Sequence, residues 1–506
     1  MRIFLIGLIL LLGAVSAARA VETAAALERG TAITDPATLR ELDGGRFRLD
    51  RMLLPERSAD APLSNSELFA LPAMTPVRQA IDGEFERYII RHKASLPRET
   101  VGVGEGFDFQ LFDRAQLYST QTRFVLAGIV NRMDRAYVSA DCGEVRLIYR
   151  LTRLNTPDTG YNASAQRLPM TLNLVLKAKA DRNGREVTCS EIANRWLSSG
   201  ALLNEQLQAN DGPLALLGYD NIDRIETNLQ IAHAPKSAVR DFRTDYLLKV
   251  FRYDRQARVF AEAPMENQID RARLLADDSL KREFRAWLLD PVNLAEFDRG
   301  TVLIPEKFLA NGAVAPTPAG FDPSDLQPEF GLVQGEGAAF SEAEIVAALK
   351  KAAASGVKLQ NIRSLGGFER RLNDVTCSGC HQTRGIGGFH FPGVDWMAAK
   401  PSNTTVVPAS PHFFGDQIRR RDILTALRDG RAPDYSRGFA SRPQLRGSTE
   451  LAGSGYYDGW GAHCYVQGKQ AASNDGSFRD WNCAEGLACQ AAGKTSRMGM
   501  CFVRNR

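Results

Sequence analysis

Cys377-Ser378-Gly379-Cys380-His381 is the one stretch whose residue types and spacing carry a specific chemistry. Two thiols separated by two residues face one edge of a porphyrin and add across its two vinyl groups. The histidine that follows then reaches the iron as its proximal ligand. Three other chemistries compete for such a pattern. A thioredoxin-like redox pair sits after a buried apolar strand, whereas this motif follows the polar, helix-like Phe368-Glu369-Arg370-Arg371-Leu372-Asn373-Asp374. A zinc site needs about four ligands, and no second CxxC or HxxxH pair exists in the chain. A plain disulfide across the two cysteines would leave His381 without a role. The spacing therefore predicts one covalently bound haem per chain, held by Cys377 and Cys380 with His381 on the iron.

Iron has a second axial position, filled by Met or His or left open. His390, within Gly387-Gly388-Phe389-His390-Phe391-Pro392, is the leading candidate for a sixth ligand, with Met397 and His412 as alternatives. A filled site suits electron transfer, and an open one admits peroxide or oxygen. Arg384 and the run Arg419-Arg420-Arg421 have the chemistry to pair with haem propionates, but such a run reads more simply as a solvated helix face. Asn131-Arg132-Met133-Asp134, beside Cys142, is either a buried polar cluster or a turn near a disulfide. His92 and His233 are isolated and read as structural. No G-x-S-x-G, P-loop, H-E-x-x-H or EF-hand pattern is present.

The elements that must position these groups follow from periodicity. Val145, Leu147, Tyr149 and Leu151 alternate with Glu144, Arg146 and Arg150, broken only at Ile148. Met170 to Leu176 and Ile225 to Ile231 alternate likewise. Such alternation predicts half-buried strands in an antiparallel sheet. Residues 246–253 and 258–263, joined by Asp254-Arg255-Gln256-Ala257, predict a hairpin. Val77 to His92 reads as helix, and so do residues 268–298 with a break at Pro291. Residues 311–337 carry Pro316, Pro318, Pro323 and Pro328 and read as a linker. Ser341-Glu342-Ala343-Glu344 is a capping box opening a helix, and a later helix spans about 416–428 with Gly430 as its stop.

The first twenty residues have the form of a leader: Arg2, an apolar run from Ile3 to Val15, then Ala18-Arg19-Ala20 as cleavage site. Two of the 63 basic residues, Arg2 and Arg19, lie in it, and the remainder is nearly neutral against 59 acidic ones. Nucleic-acid binding has no electrostatic support, and no later stretch is apolar enough for a transmembrane segment. Export to an oxidising compartment permits disulfides. Of the eight cysteines, the haem takes two. Cys142, Cys189, Cys464, Cys483, Cys489 and Cys501 then suffice for three bridges.

The pentapeptide with its leader resembles the bacterial c-type cytochromes. That resemblance implies haem c, thioethers at Cys377 and Cys380, iron ligation by His381 and an unknown redox partner protein, in the periplasm or outside a Gram-negative cell. It covers the motif and its surroundings only. The Cys464–Cys501 tail resembles small secreted knottin-like modules. The expected fold class is α+β multidomain: a leader at 1–20, an antiparallel β-rich N-terminal domain at 21–310, the linker, a mainly α-helical haem c domain at 338–445 and a small disulfide-rich C-terminal module at 446–506. Electron transfer is the leading function. A haem peroxidase or oxidase and a secreted binding protein are the alternatives.

Overall fold

The computed structural model describes residues 30–154, 166–178, 181–182, 185–199, 204–234, 243–317, 332–333, 338–376, 416–437, 463–465, 483, 485–491 and 498–503. The leader and the CxxCH motif lie outside these residues.

A ten-stranded sheet is the frame. Its strands are β1 (Ala32–Ile33), β2 (Val101–Gly102), β3 (Phe109–Leu111), β4 (Thr122–Arg132), β5 (Glu144–Arg153), β6 (Gln166–Lys177), β9 (Ile222–Ala234), β10 (Arg243–Asp254), β11 (Val259–Ala263) and β12 (Gly312–Thr317); β7 (Asp181–Arg182) and β8 (Arg185–Glu186) form a separate ribbon. The main order is β1-β4-β5-β6-β9-β10-β11, antiparallel throughout. Beside it, β3 joins β9 antiparallel and β2 joins β3 parallel. The predicted hairpin is present, with Asp254 opposite Val259.

β12 departs from expectation, because it lies at the head of the stretch read as a linker. Leu247 pairs with Val314 and Tyr246 with Ala315, so β12 occupies the same edge of β10 as β11, further toward the β10 N-terminus. The prolines that argued for a linker begin at Pro316, opposite Asp245 near the end of this ladder. Edge strands tolerate proline where central strands do not.

The side chains that alternate on these strands bury one face in a large core. Val145, Leu147, Tyr149, Leu172, Leu174, Ile225 and Leu229 all belong to it. The helix Thr75–Ser95 contributes Val77, Ile81, Phe85, Tyr88 and His92, which recur at the three- and four-residue spacing that places them on one helical face. Cys142 and Cys189, two of the six cysteines left for bridges, form a disulfide with Cα atoms 5.3 Å apart. It joins the turn before β5 to the start of the helix Cys189–Leu197.

A second core is helical. It contains Phe284, Leu288, Leu294, Phe297, Ile345, Phe368 and Leu372, drawn from the helices Asp278–Leu288, Pro291–Arg299, Glu342–Ala354 and Leu365–Asp374, together with Phe340 just before the third of them. Pro291 opens a new helix instead of kinking an old one, with the Asp290 carboxylate accepting from the Val292 amide; proline fits the first turn, where its missing N–H is not needed. The Ser341/Glu344 capping box forms as read.

This core starts at Ile269, inside the region assigned to the N-terminal domain. Conversely, the helix Gln417–Arg428, read as part of the haem domain, packs on Cys189–Leu197 and gives Leu424 to the first core. The Ser190 hydroxyl donates to the Arg428 carbonyl at 2.6 Å. Gly430, at φ 67°, ends that helix. In the tail, β13 (His463–Tyr465), β14 (Leu487–Ala491) and β15 (Met498–Val503) form a small sheet ordered β13-β15-β14. Cys483 and Cys489 each take part in a disulfide. No helix among the described residues is long and apolar enough to cross a membrane.

Candidate functional site

Much of the polar face of the sheet is buried, Glu144, Arg146 and Asn173 among it. The helical lobe covers it, and a cavity of 380 Å³ lies between them, within the range of small-molecule sites. From the sheet, β5 supplies Glu144 and Arg146, β6 Asn173, β9 Arg224, Glu226 and Asn228, and β10 Leu248 and Val250. From the opposite side come Gly300, Arg371, Val375, Thr376, Asp416 and Arg437.

The strand pairing explains the pattern on the floor. Asn173 stands directly opposite Glu226, which in turn stands opposite Val250. Asn228 stands opposite Leu248, and Arg224 opposite Arg252. Residues two apart on one strand share a face, so these charged, amide and apolar side chains lie together on the cavity floor.

Ion pairs link the charged side chains. Glu144 accepts from Arg146 at 2.7 Å and from Arg224 at 2.8 Å, and Arg135 lies 3.0 Å away as an ion pair. Arg146 and Arg224 also reach Glu226, at 3.0 and 2.7 Å, and Arg135 reaches Glu266 at 3.0 Å. Burial pushes the Glu144 carboxyl up, but Arg224, Arg135 and Arg146 outweigh it and hold the group well below the usual carboxylate range. A second cluster centres on Asp416. It accepts from Arg419 at 2.6 Å and from Arg420 at 2.8 Å, with Arg437 at 3.7 Å. Arg419 bridges on to Asp134 at 2.8 Å, and Asp134 pairs with Arg132 at 2.8 Å. Burial opposes ionisation of both acids, and the surrounding guanidiniums reverse that: Asp134 and Asp416 are strongly depressed. Burial, with Arg132 nearby, pushes Arg420 down to about 10, still a cation at neutral pH.

Of the arginine run, then, Arg421 is exposed, but Arg420 is buried and Arg419 is largely covered. The solvated-face reading fails for these two because Asp134 and Asp416, distant in sequence, supply buried counter-charges. Asn131 to Asp134 is the buried cluster and not merely a turn: the Asn131 side chain accepts from the Met133 amide at 2.8 Å and donates to the Gly30 carbonyl at 3.1 Å. His92 lies in the first core, its ring 4.4 Å from that of Phe109, and His233 is on β9; neither lines the cavity.

Cys377, Cys380, His381, Arg384, His390, Met397 and His412 lie outside the described residues, as do residues 377–415 as a whole. Their chain termini are placed: Thr376 and Asp416, the residues on either side, both line the cavity. Among the described residues, no group of three His, Cys, Asp or Glu side chains is arranged to hold a metal ion.

Sequence reasoning missed the cavity. Its available signal was the mixed sign of charge at alternate positions of two strands, Glu144/Arg146 and Arg224/Glu226, which is the signature of ion-pair ladders between neighbouring strands. Comparison of the chain with protein-family models, with curated proteins and with solved structures gives no match.

Proposed function

We propose that this chain is an exported protein that carries one haem c through Cys377 and Cys380, with His381 on the iron, and that it transfers electrons. One observation supports this most directly. The segment bearing the motif and every candidate sixth ligand leaves the cavity wall at Thr376 and returns to it at Asp416.

The residues present fit the group. Cys, Cys and His in this spacing are the donor set of covalent haem. The wall next to Thr376 offers Val375 as an apolar surface, and Arg371 and Arg437 as guanidiniums suited to two carboxylates. Bound haem supplies reversible one-electron chemistry. The protein's own part is to exclude water and to keep a fixed, densely paired charge environment, whose arginines and carboxylates do not have to rearrange when a neighbouring charge changes. His390 is the preferred sixth ligand, ahead of Met397 and His412. In this reading the two cores are separate domains of an α+β protein, the leader is removed at Ala20, and the protein works in the periplasm or outside the cell with a redox partner protein.

The cavity itself favours a second reading, a haem enzyme with an open sixth position, since a pure carrier needs no pocket. A binding protein in which haem is secondary is the third.

Expression with the haem-attachment machinery separates them. A pyridine haemochrome spectrum of the haem c type, with haem mass on the peptide around Cys377, is the expected result, and a low-spin six-coordinate spectrum in both oxidation states supports the carrier. High-spin ferric haem that binds cyanide readily moves the assignment to the enzyme. Absence of covalent haem overturns both.

A further inference from the structure

The two ends of the cavity differ in charge. Around Glu144 and Glu226, four cations (Arg135, Arg146, Arg224 and Lys177) pair with five carboxylates, the other three being Asp141, Asp223 and Glu266. Around Asp416 the ratio reverses. Among the described residues, the four guanidiniums of Arg132, Arg419, Arg420 and Arg437 share the two carboxylates of Asp134 and Asp416. Two positive charges are left over. The chain that joins Thr376 to Asp416 does not bring the balance, since residues 377–415 hold one acid, Asp395, against Arg384 and Lys400.

Arg420 shows the crowding. Burial pushes it down, and Arg132 and Arg419 add to that, to about 10; guanidiniums gathered on too few carboxylates oppose one another's charge. Arg132 and Arg420 are buried and act on the cavity only through the field that they set up in a low-dielectric wall. Arg437 can touch a ligand, because it lines the cavity with 28% of its side chain exposed. Asp416 accepts from Arg419 and Arg420 at 2.6 and 2.8 Å but stands 3.7 Å from Arg437, beyond hydrogen-bond length. The Arg437 backbone is fixed: its amide donates to the Arg299 carbonyl at 2.6 Å, and its carbonyl accepts from Arg371 at 2.9 Å. Tyr137 and Val375 line the same cavity, and the Tyr137 ring lies 5.4 Å from that of Tyr435, two residues before Arg437. They offer carbon surface beside the charge. A guanidinium fork matches a carboxylate, and 380 Å³ is more than a compact inorganic anion fills.

We infer that the Asp416 end of this cavity binds a dianion with two carboxylates, with Arg437 donating to one of them and the buried arginines behind it keeping the wall positive. Two sources share this chemistry. One is the propionate pair of the proposed haem, whose attachment site begins one residue after Thr376 of the wall. The other is a free dicarboxylate.

Titration calorimetry on the full mature chain, made with and without the haem-attachment machinery, tests the inference. Succinate is the probe and succinamide its neutral counterpart. The haem-free chain binds succinate with a Kd of about 1 mM or tighter, and succinamide about tenfold more weakly or worse. Arg437→Gln weakens succinate binding by about tenfold or more, whereas Arg437→Lys, which keeps the charge, retains most of it. The haem-loaded chain separates the sources. Where propionates fill the site, succinate no longer binds, and Arg437→Gln lowers the midpoint potential of the haem, because a positive charge nearby favours the reduced iron. Where a free dicarboxylate fills it, succinate binds both preparations alike. A chain that takes up no haem binds succinate in either preparation, so failure of the haem reading leaves this inference standing. The inference is overturned if succinate does not bind the haem-free chain, if succinamide binds as tightly, if Arg437→Gln is without effect on binding, or if Arg437→Lys loses binding as fully as Arg437→Gln does.

Discussion

Glu144 is the residue on which the buried charge network turns. Three guanidiniums, from Arg135, Arg146 and Arg224, converge on its carboxylate. Removing one member of a buried ion pair leaves uncompensated charge and costs about 3–5 kcal/mol. Glu144→Gln should therefore lower unfolding stability by about that amount, measured by guanidinium denaturation at pH 7. The pH profile follows from the depressed carboxyls. Glu144, Asp134 and Asp416 are held below their ordinary values in the folded chain, so the unfolded state binds more protons as pH falls. Their contribution is fully present above about pH 5 and is lost below about pH 4, as the pH drops past the unfolded carboxylate values. The wild-type midpoint should be flat from pH 8 to 5 and fall steeply below 4, and in Glu144→Gln that fall should be shallower. At this scale the sequence was only half legible. Cys377, Cys380 and His381 stand out in the sequence because their spacing is a local signal. Glu144 reads as an ordinary polar position on a strand, because its partners arrive from β9 and from the turn after β4.

Among the elements, the strands and their apolar faces were readable, since period-two alternation is a local signal. So were the helix Thr75–Ser95 and the capping box at Ser341. Docking was not readable. The helix Gln417–Arg428 was legible as a helix, but nothing in its own sequence says that it packs on Cys189–Leu197 instead of on its sequence neighbours. β12 was missed because four prolines nearby outweighed the short alternating Ala313-Val314-Ala315. The disulfide was foreseen from composition, and its worth follows from the loop that it closes. Cys142 and Cys189 are 47 positions apart, and the loop-entropy relation gives about 4 kcal/mol for a crosslink of that span. Cys142→Ala/Cys189→Ala should lose about that much in denaturant unfolding.

In the whole molecule, the two cores meet across a space lined by charge, and the contact is close where Gly300 lies. Its φ is 74°, and a β-carbon there would approach the Arg437 carbonyl oxygen to 2.8 Å and an Arg371 guanidinium nitrogen to 3.0 Å. Gly300→Ala therefore combines an unfavourable backbone region with a steric push on the cavity wall. The expected cost is about 1–3 kcal/mol, seen as a lowered apparent melting temperature. Domain boundaries were the least legible property at this scale. The composition change at 311–337 is real, but the apolar side chains from Ile269 to Phe308 look the same whichever core receives them.

The route of β10's neighbours has a consequence for how the chain is made. One edge of β10 is shared by β11 and β12, and between those two strands the chain builds three helices of the second core. The sheet is thus left incomplete when residue 263 leaves the ribosome and is finished only at residue 317. The first core receives its last member, Leu424, later still. A nascent chain stopped at 310 has an open sheet edge, so the two lobes are completed together and not in turn. The CxxCH segment emerges between these events, after the sheet closes and before the helix Gln417–Arg428 docks.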